Sequence, residues 1–296
     1  VSGTPPAGST GDGPLFVLRR EPPGGAGAEL PVVLVHGSMD RSSSFARLTA
    51  RLSERTVISY DRRGYARSAR RAASERFSDQ VEDLVEVLDG QPAVALGHSF
   101  GGGVVAACAG LHPELLPAVV IWEPPVPWLG PWAGGAARSI AEGSGSDPAG
   151  IAEAFMRRVV GDEVWEHLPE RTRARRRAEG PTLVAEMRAL RQPAWDPSQV
   201  DVPVLVGCGA DSSARRQRIA AELARAFPAG ELHTVAGVGH GAHLSAPGAL
   251  ARLVRRAAAL AGEGRVAAAR VGTASPDAPE SLGWSSTVPG HEEDTP

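Results

Sequence analysis

The sequence predicts an α/β fold, a doubly wound and mostly parallel sheet with a helical cap inserted after the sixth strand. Three observations carry this expectation. Short continuous apolar runs such as Pro31-Val32-Val33-Leu34-Val35 and Ala118-Val119-Val120-Ile121-Trp122 recur along the chain, the mark of strands buried on both faces. Helical patterns alternate with them over short connections, as parallel strands require. From residue 126 to residue 200 the alternation lapses and only helical patterns are found.

In order, residues 1–14 are rich in Gly, Pro, Ser and Thr and read as a flexible lead. Residues 15–20 suit a short edge strand, ended by the breaker Pro22-Pro23-Gly24-Gly25. The run at 31–35 leads into His36-Gly37-Ser38-Met39-Asp40, and a helix is expected over 43–52 with serines to cap it. Residues 56–60 form the next strand, followed by Asp61-Arg62-Arg63-Gly64-Tyr65-Ala66-Arg67-Ser68. Ser78 is placed to cap a helix over 79–88 whose Val81, Leu84, Val85 and Leu88 share one face. Strands are expected at 93–96 and 118–122.

The expected cap, residues 126–200, holds helical segments at 149–160, 162–178 and 181–191, with Trp128, Trp132, Trp165 and Trp195 among them. The core resumes with a strand at 202–208, a helix over 213–227, a strand at 231–235 and a helix over 247–260. Residues 15–125 and 201–261 thus make the core, and 262–296 read as a disordered tail.

Composition narrows the chemistry. The chain has 296 residues, a net charge of −3 and 42% hydrophobic residues, so it holds one large domain or a domain with a cap. No basic excess argues for nucleic acid. All 31 residues in the Lys+Arg count are arginine, which excludes Schiff-base, pyridoxal phosphate and P-loop chemistry, each of which needs lysine. Cys108 and Cys208 lie in apolar surroundings and read as buried free thiols. No run approaches the roughly 18 apolar residues of a membrane span, and the lead lacks the apolar core of a signal peptide. A cytoplasmic location is expected.

The most informative stretch is Gly97-His98-Ser99-Phe100-Gly101, between an apolar run and a small-residue helix. A serine on so sharp a strand-to-helix turn needs neighbours without side chains, and the helix N-terminus favours negative charge beside it. Gly143-Ser144-Gly145-Ser146 is a decoy, lacking the last glycine and a preceding strand. A serine hydroxyl needs a base and the base an orienting acid. Asp211 lies just past one late strand, and His240 sits in the glycine-rich loop after the next. The order Ser99, Asp211, His240 is that of a nucleophile-elbow triad.

Two rivals are weighed. His243, three residues beyond His240, lacks the flanking glycines. Glu123 ends a neighbouring strand, but beside Pro124-Pro125 it reads first as hinge packing. Asp61 is expected to stabilise its turn, His98 to be a packed neighbour, and His36 and His112 to be structural.

These motifs together resemble the α/β-hydrolase fold family over residues 15–260. His36-Gly37 is similar to its oxyanion loop. Asp61 to Ser68 resembles its D-x-R-G-x-G-x-S turn, with Ala66 in place of the second glycine. The family pattern allows the triad acid at the Glu123 position in some members. The resemblance implies a serine hydrolase that cleaves an ester or related acyl bond through an acyl-enzyme, with no metal and no cofactor. It implies backbone N–H donors for the oxyanion from Phe100 and from Ser38, with Met39 as the other choice. Met39, Trp122 and Trp128 are expected to contact a small, partly apolar substrate.

The alternatives within the family are a thioesterase or acyltransferase of secondary metabolism and a cofactor-free perhydrolase. Outside enzymes, a ligand receptor on the same fold is the alternative. The basic run Arg171, Arg173, Arg175, Arg176 and Arg177 reads as a solvated face, with docking of an acidic carrier protein as the functional alternative.

Overall fold

A computed structural model describes residues 13–25, 27, 29–128, 147–191 and 193–272, with side chains as far as 264. Seven strands form one sheet: β1 (Phe16–Arg20), β2 (Val32–Val35), β3 (Val57–Asp61), β4 (Val94–His98), β5 (Val119–Trp122), β6 (Val204–Gly209) and β7 (Gly230–Val235). Their order is β1-β3-β2-β4-β5-β6-β7, with β1 antiparallel to β3 and the other pairs parallel. Alternation along each strand sends side chains to two separate cores. Val33 and Val35 join α2 (Phe77–Leu88), α3 (Phe100–Leu111) and α8 (Ala214–Ala226) on one face. Val32 and Leu34 join α1 (Ala46–Ala50) and α10 (Pro247–Gly272) on the other. Both faces are covered, which is why the strands read as unbroken apolar runs.

Helices α4 (Pro148–Val160), α5 (Asp162–His167), α6 (Glu170–Ala178) and α7 (Gly180–Ala189) stand between β5 and β6. The insertion therefore follows the fifth strand, not the sixth. Asp147 caps α4, its carboxylate accepting from the Ala149 and Gly150 amides at 3.0 and 3.1 Å. Trp165 is fully buried among these helices, with the guanidinium groups of Arg157 and Arg177 over its ring at 5.9 and 5.8 Å. Trp132 and the Gly143–Ser146 decoy lie outside the described residues.

Several boundaries differ from expectation. The stretch 43–52 is divided between a 3₁₀ turn, Ser42–Phe45, and the short α1. Helix α2 starts at Phe77, so Ser78 lies inside it and no side chain caps it. Helix α10 runs to Gly272 instead of ending near 260. The alanine-rich segment after Gly264 has enough helix propensity to carry the helix past Gly262 and Gly264. Residues 273–296 lie outside the described part. Both cysteines are free and buried, and burial pushes the thiol of Cys108 up to about 12 and that of Cys208 to about 11, leaving them unreactive near neutrality. Among the described residues no helix is long and apolar enough to cross a membrane.

The Asp61 turn behaves as read. One carboxylate oxygen accepts from the Ser42 amide and hydroxyl at 2.8 and 2.6 Å, the other from the Arg67 amide and Nε at 3.1 and 3.0 Å. Ala66, standing where the family pattern has glycine, carries φ of 45°. A left-handed non-glycine residue costs about 1–2 kcal/mol, and glycine's extra freedom when unfolded returns about 0.4–1. Ala66→Gly should therefore raise stability by about 0.5–1 kcal/mol, read as a higher midpoint in thermal unfolding. A lower midpoint would contradict strain at this position.

Candidate active site

The elbow is built by close backbone approach. Strand β4 ends at His98, Ser99 adopts φ 53° and ψ −125°, and α3 begins at Phe100. A Cβ on Gly97 would lie 2.3 Å from the Gly101 carbonyl oxygen, and one on Gly101 would lie 2.3 Å from that of Val35. Only glycine allows this turn to close. The Ser99 amide donates to the Trp122 carbonyl at 2.8 Å, which locks the elbow to the end of β5. The next residue on that strand is Glu123.

Glu123 is the partner of His240. Its Oε2 accepts from His240 Nδ1 at 2.8 Å, while Oε1 accepts from the Gly209 amide at 3.0 Å and from the Ser212 hydroxyl. Arg216 Nε lies 3.4 Å from Oε2. Burial alone would raise the carboxyl pKa, but the bonds from His240, Ser212 and Gly209 outweigh it and hold Glu123 below the usual glutamate range. The expected acid, Asp211, does not reach the imidazole. Its side chain is exposed and its amide donates to the Val238 carbonyl at 2.9 Å, while Ser212 beside it turns inward to Glu123.

The reason is positional. Strand β5 lies directly beside β4, with His98 opposite Trp122, so Glu123 stands next to the elbow, whereas β6 is one strand further away. Glu123 also has φ of 45°, the backbone conformation that bends the chain off the strand end. Ser99, Glu123 and Met39, with φ of 57°, place left-handed non-glycine residues on three neighbouring strand-end loops. Such outliers concentrate where geometry is over-determined by its surroundings.

His240 is held from its main chain as well. Its carbonyl accepts from His98 Nε2 at 2.9 Å and from Trp122 Nε1 at 3.1 Å. Burial chiefly lowers the His240 pKa, the Glu123 bond opposes this, and Arg216 adds to the lowering. The ring is therefore neutral near pH 7 and able to accept a proton.

The other expected residues divide. Trp122 is fully buried in the core shared with α10, so it anchors the His240 loop instead of lining a substrate site. Trp128 is half-buried, its ring edge-on to Trp195 at 5.9 Å. Met39 is buried, and its carbonyl accepts from Arg176 of α6 at 2.6 Å. His36 accepts from the Arg62 amide through Nε2 at 2.9 Å and donates from Nδ1 to the Gly37 carbonyl at 2.8 Å. Burial first, then Arg62, pushes its pKa down to about 3, so it is a neutral fastener of the loop before Ser38.

The basic run is mostly engaged internally. Arg173 pairs with Glu166 at 2.7 Å, Arg177 with Glu153 at 2.7 Å and Arg176 with Glu179 at 3.1 Å. Arg171 and Arg175 are exposed.

Sequence reasoning missed Ser212, Gly209 and Arg216 as the surroundings of the acid. The legible signal was the acid itself, placed right at the end of a strand adjoining the elbow strand.

The sequence matches the family described as the alpha/beta hydrolase family over residues 32–253, and the chain belongs to that family. It is similar to an esterase of Escherichia coli, YbfF, at 27% identity over 242 residues, 76% of this chain and 92% of that protein. An uncharacterized protein of Mycobacterium tuberculosis is 32% identical over 100 residues, 32% of this chain but only 29% of that protein's length. Among solved structures, a putative non-heme bromoperoxidase of Mycobacterium tuberculosis aligns at TM-score 0.63 and 21% identity, over 84% of this chain and 96% of that one. An enol-lactonase from Burkholderia xenovorans aligns at TM-score 0.63 and 20% identity, over 82% and 95%.

Proposed function

We propose that the protein is a serine hydrolase of a small ester or related acyl compound, with Ser99 as nucleophile, His240 as general base and Glu123 as orienting acid. The observation that carries this reading is the 2.8 Å bond from His240 Nδ1 to a buried Glu123, in a loop anchored beside a serine at φ 53°. With Nδ1 committed to Glu123, Nε2 is the nitrogen that takes the Ser99 proton. The serine oxygen then adds to the acyl carbon, and the carbonyl becomes an oxyanion.

The Phe100 amide, at the first turn of α3, is one donor to that oxyanion. The Ser38 amide is taken as the other, with the Met39 amide as the alternative. Each such donor is worth on the order of 3 kcal/mol in the transition state. His240 then gives its proton to the leaving alcohol, and a water activated by the same imidazole releases the acid. The names of the esterase and enol-lactonase relatives support carboxylic ester or lactone substrates.

A fluorophosphonate probe tests the nucleophile. The expected result is one adduct, located at Ser99 by peptide mass spectrometry, absent in Ser99→Ala and strongly slowed in His240→Ala. Folded protein that takes no label, or takes it elsewhere, would overturn the reading.

A further inference from the structure

Three side chains that the proposed reaction does not use meet near the elbow: Asp40 from the loop after β2, His98 at the end of β4 next to Ser99, and His243 on α9 (Ala242–Ser245). One potential ligand atom from each lies within 4.8 Å of the others.

Hydrogen bonds engage one nitrogen of each ring. His98 Nε2 sits 2.9 Å from the His240 carbonyl, which can only accept, so Nε2 carries the proton and Nδ1 a bare lone pair. That Nδ1 is buried and has no hydrogen-bond partner among the described residues. His243 meets the carboxylate directly. Its Nε2 faces Asp40 Oδ2 at 3.3 Å, and its buried Nδ1 also lacks a partner among the described residues. The two ring centroids are 4.2 Å apart. Leaving a buried polar atom unsatisfied costs about 1–3 kcal/mol, and here two such nitrogens belong to rings grouped with one carboxylate.

We propose that Asp40, His98 and His243 form a binding site for a divalent transition-metal ion of the zinc class. Two imidazoles and a carboxylate make the mixed nitrogen and oxygen set that such ions prefer, while magnesium and calcium favour oxygen alone. The surroundings of His98 match what a metal-binding histidine requires, its second ring N–H held by a carbonyl, while His243 would bind through Nε2, the nitrogen that already faces Asp40. Ser44 steadies the carboxylate by donating to Asp40 Oδ2 at 2.9 Å. The Asp40 side chain is 19% exposed whereas that of His243 is 5%, so an ion would enter past Asp40 and keep water on that side. The expectation of no metal came from the motif pattern alone; these residues, numbered 40, 98 and 243, share no sequence spacing that signals a site. Metal binding here is independent of whether Ser99 reacts.

The test uses full-length protein stripped with a chelator and dialysed. Zn(II) is titrated calorimetrically, and Co(II) is followed by its visible ligand-field absorption. The expected result is saturable binding of one ion per chain, with no comparable binding of Mg(II). Asp40→Asn and His243→Gln, each checked for native circular dichroism, should weaken binding by at least about tenfold. The control His167→Gln/His233→Gln, at histidines away from the cluster, should leave it unchanged. If His243→Gln does not fold, Asp40→Asn carries the comparison alone. Absence of saturable Zn(II) binding, or binding that Asp40→Asn leaves intact, would overturn the site.

Discussion

Glu123→Gln should lower kcat/KM for an ester substrate by about 10³–10⁴-fold, the scale seen when a triad acid becomes its amide. Asp211→Asn should stay within about twofold, as an exposed substitution away from such a site does. The substituted amide would still fill the space between Gly209, Ser212 and His240, so the fold survives. What disappears is the negative charge that balances the imidazolium in the transition state, together with the acceptor that fixes the tautomer.

The pH profile adds a second reading. His240 must be neutral to accept the Ser99 proton, so activity falls as pH drops through its folded pKa, which burial holds below the ordinary histidine value. In the native protein the Glu123 bond raises that pKa against burial. Removing it should move the acid limb of Glu123→Gln to still lower pH while the plateau collapses. Steady-state kinetics from pH 4 to 9 (roughly the range over which histidine and the carboxylates titrate) measure both. A large loss in Asp211→Asn with a small one in Glu123→Gln would reverse the assignment of the acid.

Glu186→Ala should destabilise the protein by about 3–5 kcal/mol, the cost of leaving a buried charge without its partner. Glu186 lies on the inserted helix α7 and is almost fully buried, as is Arg62. One carboxylate oxygen takes a hydrogen bond from Arg62 Nη1, and the other accepts from the Tyr65 hydroxyl at 2.7 Å. Arg62 also donates to the His36 carbonyl at 2.8 Å and to Gln80 at 3.0 Å, and its guanidinium lies over the Phe100 ring at 4.7 Å. The alanine variant leaves this buried cation without its counter-charge and orphans the tyrosine hydroxyl as well.

Urea unfolding measures the loss, and hydrogen exchange along α7 shows whether the inserted helices detach first. The double variant Arg62→Met/Glu186→Leu should recover most of the stability, because a buried pair replaced by apolar side chains of similar volume is often neutral or better. A loss under about 1 kcal/mol in Glu186→Ala would mean that water reaches Arg62.

Much of this protein could be read in order along the chain. Runs such as Val32–Val35 and Val119–Trp122 are apolar on both faces because both faces are covered, and that requirement is written locally. The elbow motif is legible too: Gly97 is required by Gly101 and Gly102 a few residues on, Gly101 by the neighbouring strand end at Val35, and His240 follows from its glycine loop. Helix limits were less legible where propensity and capping disagreed, as at Ser78 and beyond residue 260.

Tertiary structure alone decided which acid meets His240. In sequence each candidate is a carboxylate just past a strand, and position along the chain favours Asp211 over Glu123. Sheet order separates them, because β5 adjoins the elbow strand and β6 does not. The same holds for the burial of Trp122, for the Arg62–Glu186 pair across 124 residues, and for the meeting of Asp40, His98 and His243. Sequence determines what each strand and turn must be, since those depend on neighbours a few residues away. Which side chains touch depends on how strands are ordered and helices laid over them, and that ordering arises from packing the whole chain around its two cores.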